Sequence, residues 1–126
     1  MPVQLNHTIV HARTRQETAD FLAEVLGLPE PQPFGPFLVV QCANGVSLDV
    51  LEVPGRIETQ HYAFLVSDEE FDEIHGRIVA RGLDYWADPF HHESGRINRN
   101  DGGRGVYWDD PNGHNLEIIT VPYGGG

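Results

Sequence analysis

The sequence predicts an α+β fold built from two tandem half-domains, each running strand, helix and two or three further strands. Four observations predict it. An apolar stretch opened by a histidine occurs twice, as Leu5-Asn6-His7-Thr8-Ile9-Val10 and His61-Tyr62-Ala63-Phe64-Leu65-Val66. Each is followed by a hydroxyl-x-x-Glu segment with the spacing of a capping box, Thr14-Arg15-Gln16-Glu17 and Ser67-Asp68-Glu69-Glu70. Each helix then stops at the same dipeptide, Gly27-Leu28 and Gly82-Leu83. Each copy closes on a strand with one carboxylate among apolar residues, Asp49 in Ser47-Leu48-Asp49-Val50-Leu51 and Glu117 in Asn115-Leu116-Glu117-Ile118-Ile119. The repeat delivers His, acid, His, acid, which is a ligand set.

In the first strand the alternation puts Leu5, His7, Ile9 and His11 on one face. The helix over about 15–26 carries Phe21, Leu22, Val25 and Leu26 at helical spacing. Pro29, Pro31, Pro33 and Pro36 forbid helix and allow at most a short edge strand. Residues 37–42 and 46–53 read as a hairpin around Ala43-Asn44-Gly45. In the second copy, residues 60–66 form a strand. A helix over about 68–81 turns Phe71, Ile74, Ile78 and Val79 inward, and a short strand follows near 84–86. A polar loop over 88–104 leads to strands at 105–108 and 115–121, joined by an Asp110-Pro111-Asn112-Gly113 turn. The glycine-rich end, Tyr123-Gly124-Gly125-Gly126, reads as a frayed tail. The loop makes the second histidine-to-acid spacing longer than the first, and long loops tend to carry function, so it is expected over the pocket.

At 126 residues the chain fits one domain, with modules over about 3–54 and 57–122. A net charge of -11, with all eight basic residues arginine, argues against nucleic acid or an anionic membrane as partner. The absence of lysine excludes Schiff-base chemistry. The single Cys42 excludes an internal disulfide and reads as a buried small hydrophobe. No apolar run reaches the length of a membrane span, and Met1 leads into polar residues and a strand rather than a signal peptide. The expected location is the cytoplasm.

Two imidazoles with one or two carboxylates form a nitrogen and oxygen donor set that suits a divalent Fe, Mn, Ni, Co or Zn ion. A strand histidine taken singly reads as a hydrogen-bonded structural residue; the repeat is what favours ligation. Glu117, between Leu116 and Ile118, is costly to bury unpaired and calls for a cation, either a metal or an arginine such as Arg104.

The paired modules, His7 and His61 on first strands, and Asp-Pro-Asn-Gly-His-Asn-Leu-Glu ending at Glu117 resemble the vicinal oxygen chelate superfamily, over nearly the whole chain. That superfamily includes glyoxalase I, extradiol dioxygenases, fosfomycin-resistance enzymes and bleomycin-binding proteins. The resemblance implies an open, curled mixed sheet around a central cleft, with metal ligands His7, His61 and Glu117. Asp49 takes the fourth position, as a ligand or as a catalytic base. The segment Val106-Tyr107-Trp108-Asp109-Asp110-Pro111-Asn112-Gly113 is similar to the extradiol dioxygenase signature, which implies that Tyr107 donates a hydrogen bond to substrate. That signature also wants an upstream histidine where this chain has Asn100, and asparagine cannot shuttle a proton.

His91 and His92 read as a solvated loop pair, with a substitute acid–base role as the alternative; His75 and His114 read as surface residues. Phe34, Phe37, Trp86, Phe90, Tyr107 and Trp108 border the cavity in such folds, which suits a flat, largely apolar ligand. Arg96, Arg99 and Arg104 are the evident anion hooks. Phe37, Trp86, His92, Asn100, Arg104 and Trp108 are therefore the expected substrate contacts. The leading reading is a metal-dependent enzyme acting on a small aromatic or vicinal-dioxygen substrate. The second is a non-catalytic protein that sequesters an aromatic antibiotic, as bleomycin-resistance proteins do; the third is a glyoxalase or isomerase. The partners expected are a small-molecule ligand and a second copy of the chain in a homodimer.

Overall fold

The computed structural model describes residues 3–123 and divides into two compact units, with the boundary between Glu58 and Thr59. In the first unit, β1 (His7–Ala12) leads into α1 (Arg15–Leu26), then β2 (Gln32–Phe34), β3 (Phe37–Gln41) and β4 (Ser47–Glu52). The strands form one sheet in the order β1-β4-β3-β2, with β1 parallel to β4 and the other pairs antiparallel. The second unit repeats this plan: β5 (His61–Leu65), α2 (Asp68–Ala80), β6 (Tyr85–Trp86), β7 (Gly105–Asp109) and β8 (Asn115–Ile119), in the order β5-β8-β7-β6. Each sheet is open and mixed, as the βαβββ pattern requires.

Register explains which residues are buried. Cross-strand partners project from the same face of a sheet. In the first unit Val10, Val50 and Leu38 form one buried row, and α1, which packs against β1, β3 and β4, covers that face with Ala19, Leu22, Val25 and Leu26. In the second, Leu116, Trp108, Val106 and Ile118 share a buried face, and α2 buries Phe71, Ile74 and Ile78. Each such aliphatic side chain contributes roughly 1.5–3 kcal/mol. Phe21 is only half-buried, and Val79, expected inward, is 52% exposed: Ile78 already occupies the inward direction, and the next residue turns about 100° away.

The two helix starts differ. Ser67 accepts from the Glu70 backbone N–H at 3.1 Å, and the Glu70 carboxylate accepts from the Ser67 N–H at 2.8 Å, completing the expected capping box. Thr14 makes no such side-chain bond. There the Arg15 N–H donates instead to the Glu52 carboxylate at the end of β4 (3.0 Å), so a neighbouring strand serves the helix start. Gly27 ends α1 in the left-handed region (φ 71°), and its N–H reaches the Ala23 carbonyl.

Three other expectations change. His114 is fully buried: its Nδ1 accepts from the Gln60 N–H at 3.0 Å and its own N–H donates to Asp110. The Asp110 carboxylate also binds Asn112, so the turn expected to leave His114 on the surface folds it into the core. His75 is half-buried between the rings of Phe71 and Tyr85, and burial pushes its pKa down. Tyr123 is anchored, as described below, whereas Gly124, Gly125 and Gly126 of the expected tail lie outside the described residues, as do Met1 and Pro2. Cys42 is half-buried, and its thiol is raised by burial. No described helix is long and apolar enough to cross a membrane.

Candidate metal and substrate site

The same register places the repeated histidine and acid alike in both units. His7 pairs with Ser47, two residues before Asp49; His61 pairs with Asn115, two residues before Glu117. Histidine and carboxylate therefore occupy adjacent rows on the face turned away from the helix.

In the second unit that face is tightly organised. Ala63, Glu117, Tyr107 and Trp86 form one row across the sheet, and His61, Asn115 and Asp109 form the next. His61 Nδ1 lies 2.9 Å from the Asn115 carbonyl, which can only accept, so Nδ1 carries the proton and Nε2 faces Glu117. His61 Nε2 and Glu117 Oε1 are 3.0 Å apart, a contact that needs a proton or a cation between them. Two donors each bonded to one ion at about 2.1 Å, at roughly a right angle, would be about 3 Å apart. The pair thus fits two ligands of one ion.

Glu117 is 1% exposed. The Tyr123 hydroxyl donates to both its oxygens at 2.7 Å, and Tyr107 hydrogen-bonds with Glu117 and Tyr123. Burial first, then these neighbours, pushes the Tyr107 phenol well above its ordinary range; Tyr123 is raised as well, burial being the largest cause. Both phenols stay protonated and act as donors. The His61 ring stacks beside Tyr107 at 5.9 Å.

In the first unit the face is open. An approximately 530 Å³ cleft is lined by His7, Asp49, Phe34, Phe37, Val39 and Gln32, together with Asn6, Pro33 and Ser47. Asp49 accepts from the Ser47 hydroxyl at 2.7 Å, and His7 Nδ1 meets the Asn6 side-chain oxygen at 2.8 Å. Among the described residues, neither unit gathers three or more His, Cys, Asp or Glu side chains into a metal cluster.

The expected substrate contacts divide. Phe37 lines the first unit's cleft. Trp86 shares the Glu117 face, but its ring is covered by His91, stacked at 3.6 Å and 5°. His91, not His92, is the packed histidine of the loop: its Nε2 reaches Asn115 Oδ1 at 3.3 Å, and its backbone holds φ 63°. His92 is exposed beside Asp88. Asn100 is exposed in a 3-10 turn. Trp108 is 0% exposed and faces the helix side with Leu116, one residue out of phase with Tyr107, so it belongs to the core. Arg104 is taken by Asp72 (2.7 Å) and Asp68 (3.1 Å) and lies 4.4 Å over Phe71, tying the start of α2 to β7. It is neither a free anion hook nor the partner of Glu117.

Sequence reasoning missed Asn115 and Tyr123. Asn115 had a signal, since it stands before its acid as Ser47 stands before Asp49. Tyr123 had none.

The sheets, helices and paired histidine–acid rows define an α+β protein of duplicated βαβββ units with a donor pair suited to a divalent ion. No protein-family model matches the chain. Its sequence is 28% identical over 120 residues to glutathione transferase FosA of Serratia marcescens, covering 90% of this chain and 78% of that protein. Among solved structures it is similar to oxidase ChaP-H1, with 65% identity, 98% and 100% of the two chains covered and a TM-score of 0.96. It is also similar to oxidase ChaP-H2, with 61% identity, both chains fully covered and a TM-score of 0.97. The chain belongs to the vicinal oxygen chelate superfamily.

Proposed function

We propose that the protein is a metal-dependent oxidase acting on a small aromatic substrate that presents two neighbouring oxygens. One observation carries this reading: His61 Nε2 and Glu117 Oε1 stand 3.0 Å apart with the histidine proton committed to Asn115. The proposed ligands are His61 and Glu117 of the second unit; His7 and Asp49 hold the equivalent positions of the first unit. A divalent Fe, Mn, Ni or Zn ion held there would supply Lewis acidity toward the substrate oxygens and, if iron, one-electron transfer to dioxygen.

The chain's own side chains do the rest. Asn115 orients His61, and the two tyrosines hold Glu117. Tyr107, expected to donate to substrate, instead directs its hydroxyl at Glu117 and Tyr123, so it supports the ligand carboxylate. Phe34, Phe37 and Val39 offer an apolar wall to a flat ring. Asn100 supplies no imidazole, so extradiol ring cleavage of catechols is not expected.

The full-length similarity to two oxidases supports oxidation chemistry. Glutathione, which carries carboxylates, finds one anion hook fewer than the sequence suggests, because Arg104 is already paired with Asp68 and Asp72. The exposed edge strands β1 and β5, bearing Ile9 and Leu65, support a homodimer, which light scattering would test.

The test is elemental analysis of protein purified without chelator, followed by oxygen uptake with aromatic hydroxyketones on iron-loaded protein, with simple catechols as the comparison expected to give little or none. Stoichiometric metal and oxygen uptake above that of His61→Ala are expected. Protein that stays metal-free after loading overturns the proposal. The aromatic lining of the first unit's cleft favours one rival, a binder of aromatic antibiotics. Tryptophan quenching by such compounds without oxygen uptake would select it.

A further inference from the structure

Tyr123 stands beyond the last strand, 64% exposed as a residue, with its hydroxyl on a carboxylate that is 1% exposed. The distances to Oε1 and Oε2 are equal, 2.7 Å each. A hydroxyl equidistant from both oxygens lies on the bisector in front of the carboxylate, where an ion chelated by both oxygens would sit. His61 Nε2 approaches Oε1 alone.

The carboxylate is thus divided between two directions. The front is closed by the Tyr123 phenol, whose hydroxyl donates to both oxygens, and such charge-assisted O–H···O bonds are strong. The open direction at Oε1 is the one shared with His61. Tyr107 adds a second phenol but is fixed within β7, whereas Tyr123 reaches Glu117 from outside the sheet.

We propose that Tyr123 is a positioning residue for Glu117: its hydroxyl blocks two-oxygen chelation and presents Oε1, beside His61 Nε2, as a one-oxygen ligand. This rests on the assignment of Glu117 as a ligand made above. Tyr123 does not itself touch the ion. A carboxylate held in one orientation loses less freedom on binding than one that rotates, so removing the hydroxyl weakens the site. Partners that orient a ligand in this way typically account for about 10–100-fold in metal affinity.

The test uses the full chain and cobalt(II) alone, with affinity read by competition against a chromophoric chelator and coordination read from the cobalt absorption bands. Three proteins are compared: wild type, Tyr123→Phe and Glu117→Gln. Tyr123→Phe is expected to bind cobalt about tenfold more weakly and to show altered bands, as the carboxylate becomes free to use both oxygens. Loss of a hydrogen bond to a buried carboxylate lowers the melting temperature as well, so the altered bands are the readout that a merely structural role does not produce. If Glu117→Gln loses cobalt while Tyr123→Phe binds with unchanged or greater affinity, the positioning role is overturned and the ligand assignment stands. If Glu117→Gln binds as wild type does, both are overturned.

Discussion

The two units share one topology and one histidine-to-acid register, yet only the second holds its pair in contact. His7 is exposed and fastened to its neighbour Asn6; Asp49 is half-buried and satisfied by Ser47. His61 is oriented by a strand carbonyl, and Glu117 is buried beneath two phenols. Duplication supplied the positions, and local hydrogen bonds decided how firmly each is set. The same asymmetry runs through the helix starts, where α2 caps itself and α1 borrows Glu52.

This comparison can be broken at several points. The largest effect is expected at the donors: Glu117→Gln lowers metal affinity by more than about 100-fold and Asp49→Asn by less than about tenfold, measured by chelator competition. A reversed order would mean that Asp49, not Glu117, is the firmer ligand. Next, Trp108→Ala costs about 3–5 kcal/mol in urea unfolding, because a large ring leaves a sealed cavity. Its exposed aromatic counterpart in the first unit, Phe34→Ala, stays within about 0.5 kcal/mol.

The caps differ by less. Ser67→Ala costs about 1 kcal/mol, whereas Thr14→Ala costs about zero, since Thr14 makes no side-chain cap. Equal losses in the two variants would remove the distinction between the helix starts.

The smallest effect is a pH dependence of stability. Burial lowers the pKa of His75, so the unfolded chain binds more protons there than the folded one. Its contribution is complete above the unfolded value of 6.5 and is lost as pH falls through the lowered folded value. His75→Phe should flatten this part of the stability profile, read from melting temperatures across that range.

Much of this was legible in the sequence, because alternation, capping residues and Gly-Leu stops act locally. The strands and helices fall within a residue or two of expectation, and the histidine–acid rows follow from the period of a strand. What was not legible depends on the third dimension. Trp108 and Tyr107 are adjacent in sequence and equally aromatic, and only the register says which faces the core. Arg104 looked free until α2 brought Asp68 and Asp72 to it. His114 sits in a turn, but the Asp110 carboxylate draws that turn inward. Thr14 has the right spacing for a capping box and makes no side-chain cap, while the Glu52 carboxylate takes the Arg15 N–H.

Asn115 does two things at once. Its carbonyl fixes the proton on His61, while its side chain donates to the Pro89 carbonyl and meets His91 Nε2. The loop that lengthens the second unit is therefore pinned to the residue that sets the histidine's tautomer. Loop and histidine form one mechanical linkage, so changes of loop sequence that never touch a donor atom can still retune the site. In a lineage of such proteins, substrate range and metal affinity would drift together, and separating them would begin at Asn115.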